Sequence, residues 1–335
     1  MTCNEGSTSL RVLPSPDPSR AILDHILFSI RTFYTPGNFD ASTAISRPRF
    51  WEDTYLGIYW MKVAAHSQRG SRESRNRGFQ ILKKSTAGAF NVICHTTSSI
   101  LLELLSTLAP VNTAASPYVR QGLLAFLHEL AREQLSKCHP ITLVLENLRS
   151  DNSDNDVTIR ALGFIVERLH AMLGPLHELS IYGTNRLCET LRRSGDYDAA
   201  LRVAQGAISA MRAILGPGSL QERYLLRQIE HVYMDQCDWV AAISVCFEVV
   251  GQRLDIDYPD PLYHDKCAVL VMEDISKSCE FAGNMEQAIA WLKQAIISGS
   301  LVWEQAEAVG HIRDKLKELL EQEHREDEFA YWVEH

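Results

Sequence analysis

Few residues of this 335-residue chain stand at spacings that chemistry demands. His264 and Cys267 sit three apart, as two metal ligands on one helical turn would. Structural and catalytic zinc sites need two or more further ligands at matching offsets, and none follows nearby, so a buried or capping role is expected for this pair and no metal site is assigned. His128, His170, His177 and His231 lie on or beside helical stretches without Asp or Cys partners at informative spacing. Nucleophile elbows, His-Glu-x-x-His helices, phosphate-binding loops and dinucleotide fingerprints do not occur. The sequence offers no catalytic residue and implies no cofactor, so the chain is expected to be non-enzymatic.

Charge supplies the next candidate. Arg69, Arg72, Arg75 and Arg77, followed by Lys83 and Lys84, form the main positive segment. Gly70 and Gly78 lie among these arginines, and the stretch from Arg69 to Gly78 reads as a polar linker between two helices. A nuclear-import or phosphate-contacting role is the functional alternative to a solvated loop. The chain as a whole carries 33 Lys and Arg against 42 Asp and Glu, a net charge of −9. Residues 1–90 hold 12 basic and 7 acidic side chains, leaving 21 and 35 beyond, so the front is +5 and the rest −14. An acidic body of that size repels the phosphate backbone, and direct binding of nucleic acid is not expected. No run of apolar residues reaches the roughly 20 needed to span a bilayer, so no membrane contact is expected.

Residues able to grip a partner are selected by the elements that carry them. Three like turns recur: Gly195-Asp196-Tyr197 ahead of Ala200, Cys237-Asp238-Trp239 ahead of Ala242, and Gly283-Asn284-Met285 ahead of Ala288, at intervals of 42 and 46. Intervals of that size mark stacked helix-turn-helix units. After each turn, small or compact residues fall at i, i+4 and i+7: Ala200, Ala204 and Ala207, then Ala242, Cys246 and Val249, then Ala288, Leu292 and Ala295. That spacing places them on one helix face. Thirteen residues before each leading alanine stand Leu187, Ile229 and Ile275. Leu173-Gly174-Pro175 and Leu215-Gly216-Pro217 end helices alike, and Tyr258-Pro259 is assigned the same task. The fold is therefore expected to be all-α, a right-handed superhelical solenoid of antiparallel, tetratricopeptide-like helix pairs. In such arrays the first helix of each pair lines the concave face. Counting back from the turns selects Tyr182, Asn185, Glu189 and Arg192 in one unit and Tyr224, Arg227, His231 and Met234 in the next as a groove for a protein or peptide partner. Tyr and Arg are frequent interface anchors, although the tyrosines could equally pack between units.

Elsewhere the pattern is looser. Residues 1–20, with Pro14, Pro16 and Pro18 among serines, read as a disordered leader. Helical pairs are expected over 21–138, including one from Trp51 to Ala89 and another from Val92 to Leu135. The repeats proper occupy 139–300, starting with a weaker unit from His139 to Gly174, and a capping helix occupies 301–335. Its stripe of Val309, Ile312, Leu316 and Leu319 has polar residues opposite, as a terminal repeat needs.

The long interval with a Leu-Gly-Pro terminator resembles the kinesin-light-chain type of tetratricopeptide repeat. Upstream, Leu101-Leu102-Glu103-Leu104-Leu105 through Pro110-Val111-Asn112-Thr113, with the His139-Pro140 helix start, is similar to the repeat region of fungal regulators that join an N-terminal Myb-like domain, of the cryptic-loci-regulator type, to a helical array. The stretch before Ala21 is too short for a Myb-like domain, so that family's DNA-binding role is not carried over. The resemblance implies a regulator of transcription that acts through partner proteins, in the nucleus or the cytoplasm. A cytoplasmic scaffold and an enzyme with a pocket in the helical groove are the rival readings.

Overall fold

The computed structural model describes residues 18–35, 49–66, 71–94, 99–108, 117–150, 156–252, 258–303, 309–325, 327–328 and 332. Within them the backbone forms fourteen α-helices and no strand, so the protein is all-α. No helix among the described residues is long and apolar enough to cross a membrane. Contacts divide the chain into two units, residues 1–164 and 165–335.

The first unit contains α1 (Pro18–Phe33), α2 (Arg49–His66), α3 (Ser71–Cys94), α4 (Ile100–Leu108), α5 (Pro117–Gln134), α6 (Pro140–Ser150) and the start of α7 (Asp156–Leu173). Helix α1 takes in the last three residues of the expected leader, and residues 1–17 lie outside those described. Helices α2 and α3 pack along their length. A Cβ on Gly88 would touch Phe50, Thr54 donates to Ser85 at 3.2 Å, and a Cβ on Gly78 would meet the Gly57 carbonyl at 2.9 Å. One number rises as the other falls, so the pair is antiparallel. This corrects the loop expected at the basic segment. Arg69 lies outside the described residues, but Arg72, Arg75 and Arg77 stand on the first turns of α3, in one helix with Lys83 and Lys84. Arg is a good helix former, and Gly78 serves a close helix crossing instead of ending a helix.

The pairing expected between Val92 and Leu135 is also corrected. Helix α4 packs on α2, while α5 packs on α3 and α6, and α6 has α1 as its main partner. All nine residues of α4 are buried, so it needs neighbours on every side and cannot sit at one edge of a two-helix repeat. Leu23, Ile26 and Ile30 of α1 and Ile141, Val144, Leu145 and Leu148 of α6 are buried apolar stripes at helical spacing.

The second unit is the regular one. It holds α8 (Glu178–Arg193), α9 (Tyr197–Leu215), α10 (Leu220–Asp235), α11 (Trp239–Val250), α12 (Lys266–Phe281), α13 (Met285–Val302) and α14 (Gly310–Gln322). Consecutive helices pack as antiparallel pairs, α8 with α9, α10 with α11 and α12 with α13. The first helices touch one another as well, α8 on α10 and α10 on α12.

Each repeated turn has the same mechanism. At the first, the Gly195 N–H donates to the Arg192 carbonyl and the Asp196 N–H to the Leu191 carbonyl, both at 3.0 Å; Cys237 and Asp238, and Gly283 and Asn284, repeat the two bonds. This closure requires a left-handed residue, and φ is +84° at Gly195, +58° at Cys237 and +79° at Gly283. The next residue caps the following helix: Asp196 accepts from the Ala199 N–H, Asp238 from Ala241 and Asn284 from Gln287. One polar residue thus closes one helix and opens the next, which is why the turn takes so few residues.

Ala200, Ala204, Ala242, Cys246, Val249, Ala288, Leu292 and Ala295 are buried between helices, as are Leu187, Ile229 and Ile275. Ala207 alone of the nine is half-buried. Gly174 and Gly216 end α7 and α9 with positive φ. The third terminator is corrected: α11 stops at Val250, where Gly251 turns left-handed, and Tyr258-Pro259 stands well beyond it. The Gln252 side chain then ties the returning chain, donating to the Tyr258 carbonyl and accepting from the Asp260 N–H.

Candidate functional site

The first helices of the second unit are linked by a ladder of ion pairs. Arg192 of α8 binds Asp235 of α10, and Arg227 of α10 binds Asp274 of α12 at 3.1 Å. Glu273 of α12 then meets His311 of α14 at 3.0 Å, and Glu280 meets Lys315 at 3.2 Å. Arg223 reaches from α10 to Asp265, the cap of α12. The partners lie 35 to 47 residues apart, about one repeat. Successive repeats bring like helix faces side by side, so a charge on one finds its counterpart one unit on.

A cleft of about 360 Å³ opens on this face, lined by Arg192, His231, Met234, Asp235, Trp239, Asp274, Lys277 and Phe281. Trp239 and Phe281 stack with ring centroids 4.8 Å apart, and Phe281 is 58% exposed. Lys277 is exposed and has no carboxylate in ion-pair range among the described residues. A stacked apolar pair beside a free ammonium can hold an apolar side chain and a carboxylate of one ligand.

Glu230, which does not line the cleft, is wholly buried next to His231 and Asp274. Burial, with the negative charge of Asp274 added, pushes its carboxyl up to about 9, against the pull of Arg227, Arg192 and Lys277. Burial also raises Asp274, but His231 and Arg227 outweigh it and hold that carboxyl below the ordinary value. Two neighbouring acidic groups are therefore shifted in opposite directions, Glu230 up and Asp274 down.

Of the groove residues expected from sequence, the structure brings Arg192, His231 and Met234 into the cleft, and Arg227 reaches it only through Asp274. Tyr182, Asn185, Glu189 and Tyr224 do not line it. Tyr182 has the Arg186 guanidinium 6.0 Å from its ring, Asn185 donates to the Ile181 carbonyl of its own helix, and Glu189 pairs with Arg186 and Arg193. Tyr224 stands partly exposed on the first turn and a half of α10. Asp235, Trp239, Asp274, Lys277 and Phe281 also line the cleft and are not among the groove residues expected from sequence. The turn register carried one unit further would have found Lys277, which holds the place of Glu189 and His231. Asp274 could not be found that way, because it stands nine residues before Gly283, a place that the positions selected in the earlier units do not include.

His264 meets Ser298 at 2.9 Å and Cys267 is buried, so this pair is packed into the structure. On the first unit the side chains of Arg72, Arg75, Arg77, Lys83 and Lys84 are exposed, and Arg77 covers Trp60 at 4.3 Å.

No protein-family model matches the chain, and no curated protein matches it. Among solved structures it is similar to BtubC (BKLC) from P. vanneervenii, with 11% identity and a TM-score of 0.38 over 76% of this chain and 91% of that one.

Proposed function

We propose that the second unit is a non-enzymatic interaction module whose cleft takes an extended segment of a partner protein bearing a carboxylate beside an apolar side chain. The observation that carries this is the Trp239–Phe281 stack next to Lys277: exposed aromatic surface and an uncommitted cation on a face whose other charges are largely paired. Burying exposed aromatic area stabilises a complex by about 25 cal/mol per Å², and Lys277 supplies direction. Stacked antiparallel pairs hold these side chains on rigid helices, so little ordering entropy is lost on binding.

The finer reading places this module in transcriptional control, in the nucleus, acting through partners rather than by its own contact with DNA. The resemblance of the stretch around Leu101–Leu105 to the helical arrays of fungal regulators supports it, together with the acidic balance beyond residue 90.

Affinity capture from the native cell tests both levels. Lys277→Glu with Phe281→Ala, both exposed, is expected to lose the captured partner while the circular dichroism stays that of the parent. Arg192→Ala with Arg227→Ala is expected to lose it too, by releasing Asp235 and Asp274 into the cleft. Capture unaffected by Lys277→Glu with Phe281→Ala would remove the cleft as the binding surface. Exclusion of a tagged chain from the nucleus would remove the transcriptional setting and favour a cytoplasmic scaffold.

A further inference from the structure

Beside the Trp239–Phe281 stack, Glu230, His231 and Asp274 form a constellation of three ligand-type side chains, of which His231 and Asp274 also line the cleft. Glu230 has 0% of its surface exposed, and neither of its carboxylate oxygens has a hydrogen-bond partner among the described residues. Leaving a buried acceptor unsatisfied costs roughly 1–3 kcal/mol, more for a charged one. His231 Nε2 lies 3.6 Å from Glu230 Oε2 and 3.7 Å from Asp274 Oδ2, and one ligand atom from each residue lies within 4.8 Å of the others.

Those separations are too long for hydrogen bonds. The two measured from His231 Nε2 are close to the edge of a tetrahedron, about 3.4 Å, drawn around an ion with bonds of about 2.1 Å to nitrogen and oxygen, and the separation of the two carboxylate oxygens stays within 4.8 Å. A cation between the three groups would satisfy the Glu230 oxygen and neutralise two neighbouring carboxylates at once.

We propose that Glu230, His231 and Asp274 bind a divalent transition metal of the Zn²⁺ type. One imidazole nitrogen and two carboxylate oxygens suit Zn²⁺ better than Ca²⁺ or Mg²⁺, which prefer shells made of oxygen alone. Glu230 and Asp274 balance the ion's charge. Arg227 grips Asp274 Oδ2 through Nη2 at 3.1 Å and Nε at 3.3 Å, and so aims that carboxylate as an outer-shell residue does. His231 and Asp274 also line the cleft, so the fourth position opens into it and is left to water or to an incoming carboxylate. The two helices α10 and α12 supply all three ligands, and the ion would clamp adjacent repeats together. Metal binding of this kind needs no partner protein, so it stands or falls separately from peptide capture.

The test is titration of the chelator-stripped full chain with Zn²⁺ followed by calorimetry, with Co²⁺ as an optical probe. The expected result is one equivalent per chain, with cobalt bands of nitrogen and oxygen ligation and no thiolate charge transfer. His231→Gln, at a half-exposed position that leaves the fold intact, and Asp274→Asn should each weaken Zn²⁺ at least tenfold, since changes to outer-shell residues alone cost 10–100-fold. Zn²⁺ should also raise the midpoint of thermal unfolding in the parent and not in His231→Gln. The proposal is overturned by the absence of saturable binding, by an affinity that His231→Gln leaves unchanged, or by thiolate bands that assign the metal to cysteines.

Discussion

The bond between Arg223 and Asp265 makes an asymmetric prediction. Arg223 stands on α10 with its side chain 5% exposed; Asp265, whose side chain is 40% exposed, caps α12 by accepting from the Ala268 N–H at 3.0 Å. The guanidinium donates to both carboxylate oxygens and lies 4.1 Å over the Tyr263 ring. Asp265→Asn keeps a capping acceptor but leaves a buried guanidinium without its anion. Breaking a buried pair costs about 3–5 kcal/mol, and water reaching the exposed partner side brings this to about 3. Asp265→Ala also removes the cap, worth about 1 kcal/mol, for about 4 in all. Arg223→Met keeps an apolar stem, and Asp265 rehydrates in place, so the loss is about 1–2 kcal/mol, mostly the ring contact and the net hydrogen bonding. Urea unfolding followed by circular dichroism measures the three. Burial alone would raise the Asp265 carboxyl, but Arg223, with the Ala268 and Cys267 N–H groups, outweighs it and holds the carboxyl below the ordinary value. A lowered folded value means that this stabilisation is complete above the unfolded carboxyl's value of about 4 and is lost as pH falls through the folded one. Arg223→Met should therefore flatten the acid side of the stability profile. Arg223→Met costing as much as Asp265→Asn would refute the reasoning, because the cost would then not reside in the stranded buried charge.

Two further perturbations probe the repeats. Cys237 is a non-glycine residue at φ +58° in a turn whose equivalents are Gly195 and Gly283. The left-handed conformation costs an L-residue about 1–2 kcal/mol and glycine gives back about 0.5–1 in chain entropy, so Cys237→Gly should stabilise by about 0.5–1 kcal/mol; a lower urea midpoint would contradict this. Ala200 is 1% exposed at the contact between α8 and α9, and Ala200→Asp should cost more than about 3 kcal/mol by burying an unpaired carboxylate, whereas Ala200→Ser should leave far-ultraviolet dichroism intact.

The register of the second unit was readable because its signals are local. A left-handed residue, a capping Asp or Asn and an alanine four positions after the cap are consequences of chain geometry within one turn, and each recurred at Asp196, Asp238 and Asn284. The first unit was harder. Gly78 carries the same letter whether it breaks a helix or lets α2 and α3 approach, and only the position of Gly57 opposite it distinguishes the two. Tyr258-Pro259 misled for a related reason: proline marks where a helix cannot continue, not where it stopped, and Gly251 had already closed α11. In the groove, counting back from the turns found Arg192, His231 and Met234 but could not separate them from Asn185 and Glu189, which bond within their own helix.

That this protein is helical, where its second-unit turns fall and which small residues lie between helices are all legible in the chain, since these depend on interactions a few residues apart along it. Tertiary structure alone decided which charges meet. Arg227 and Asp274, 47 residues apart, carry no mutual signal in the chain, and Glu230 reads as an ordinary polar residue of α10. Its isolation from water and its nearness to His231 and Asp274 arise only when one first helix is laid against the next, because burial and Coulomb interaction depend on distance through space.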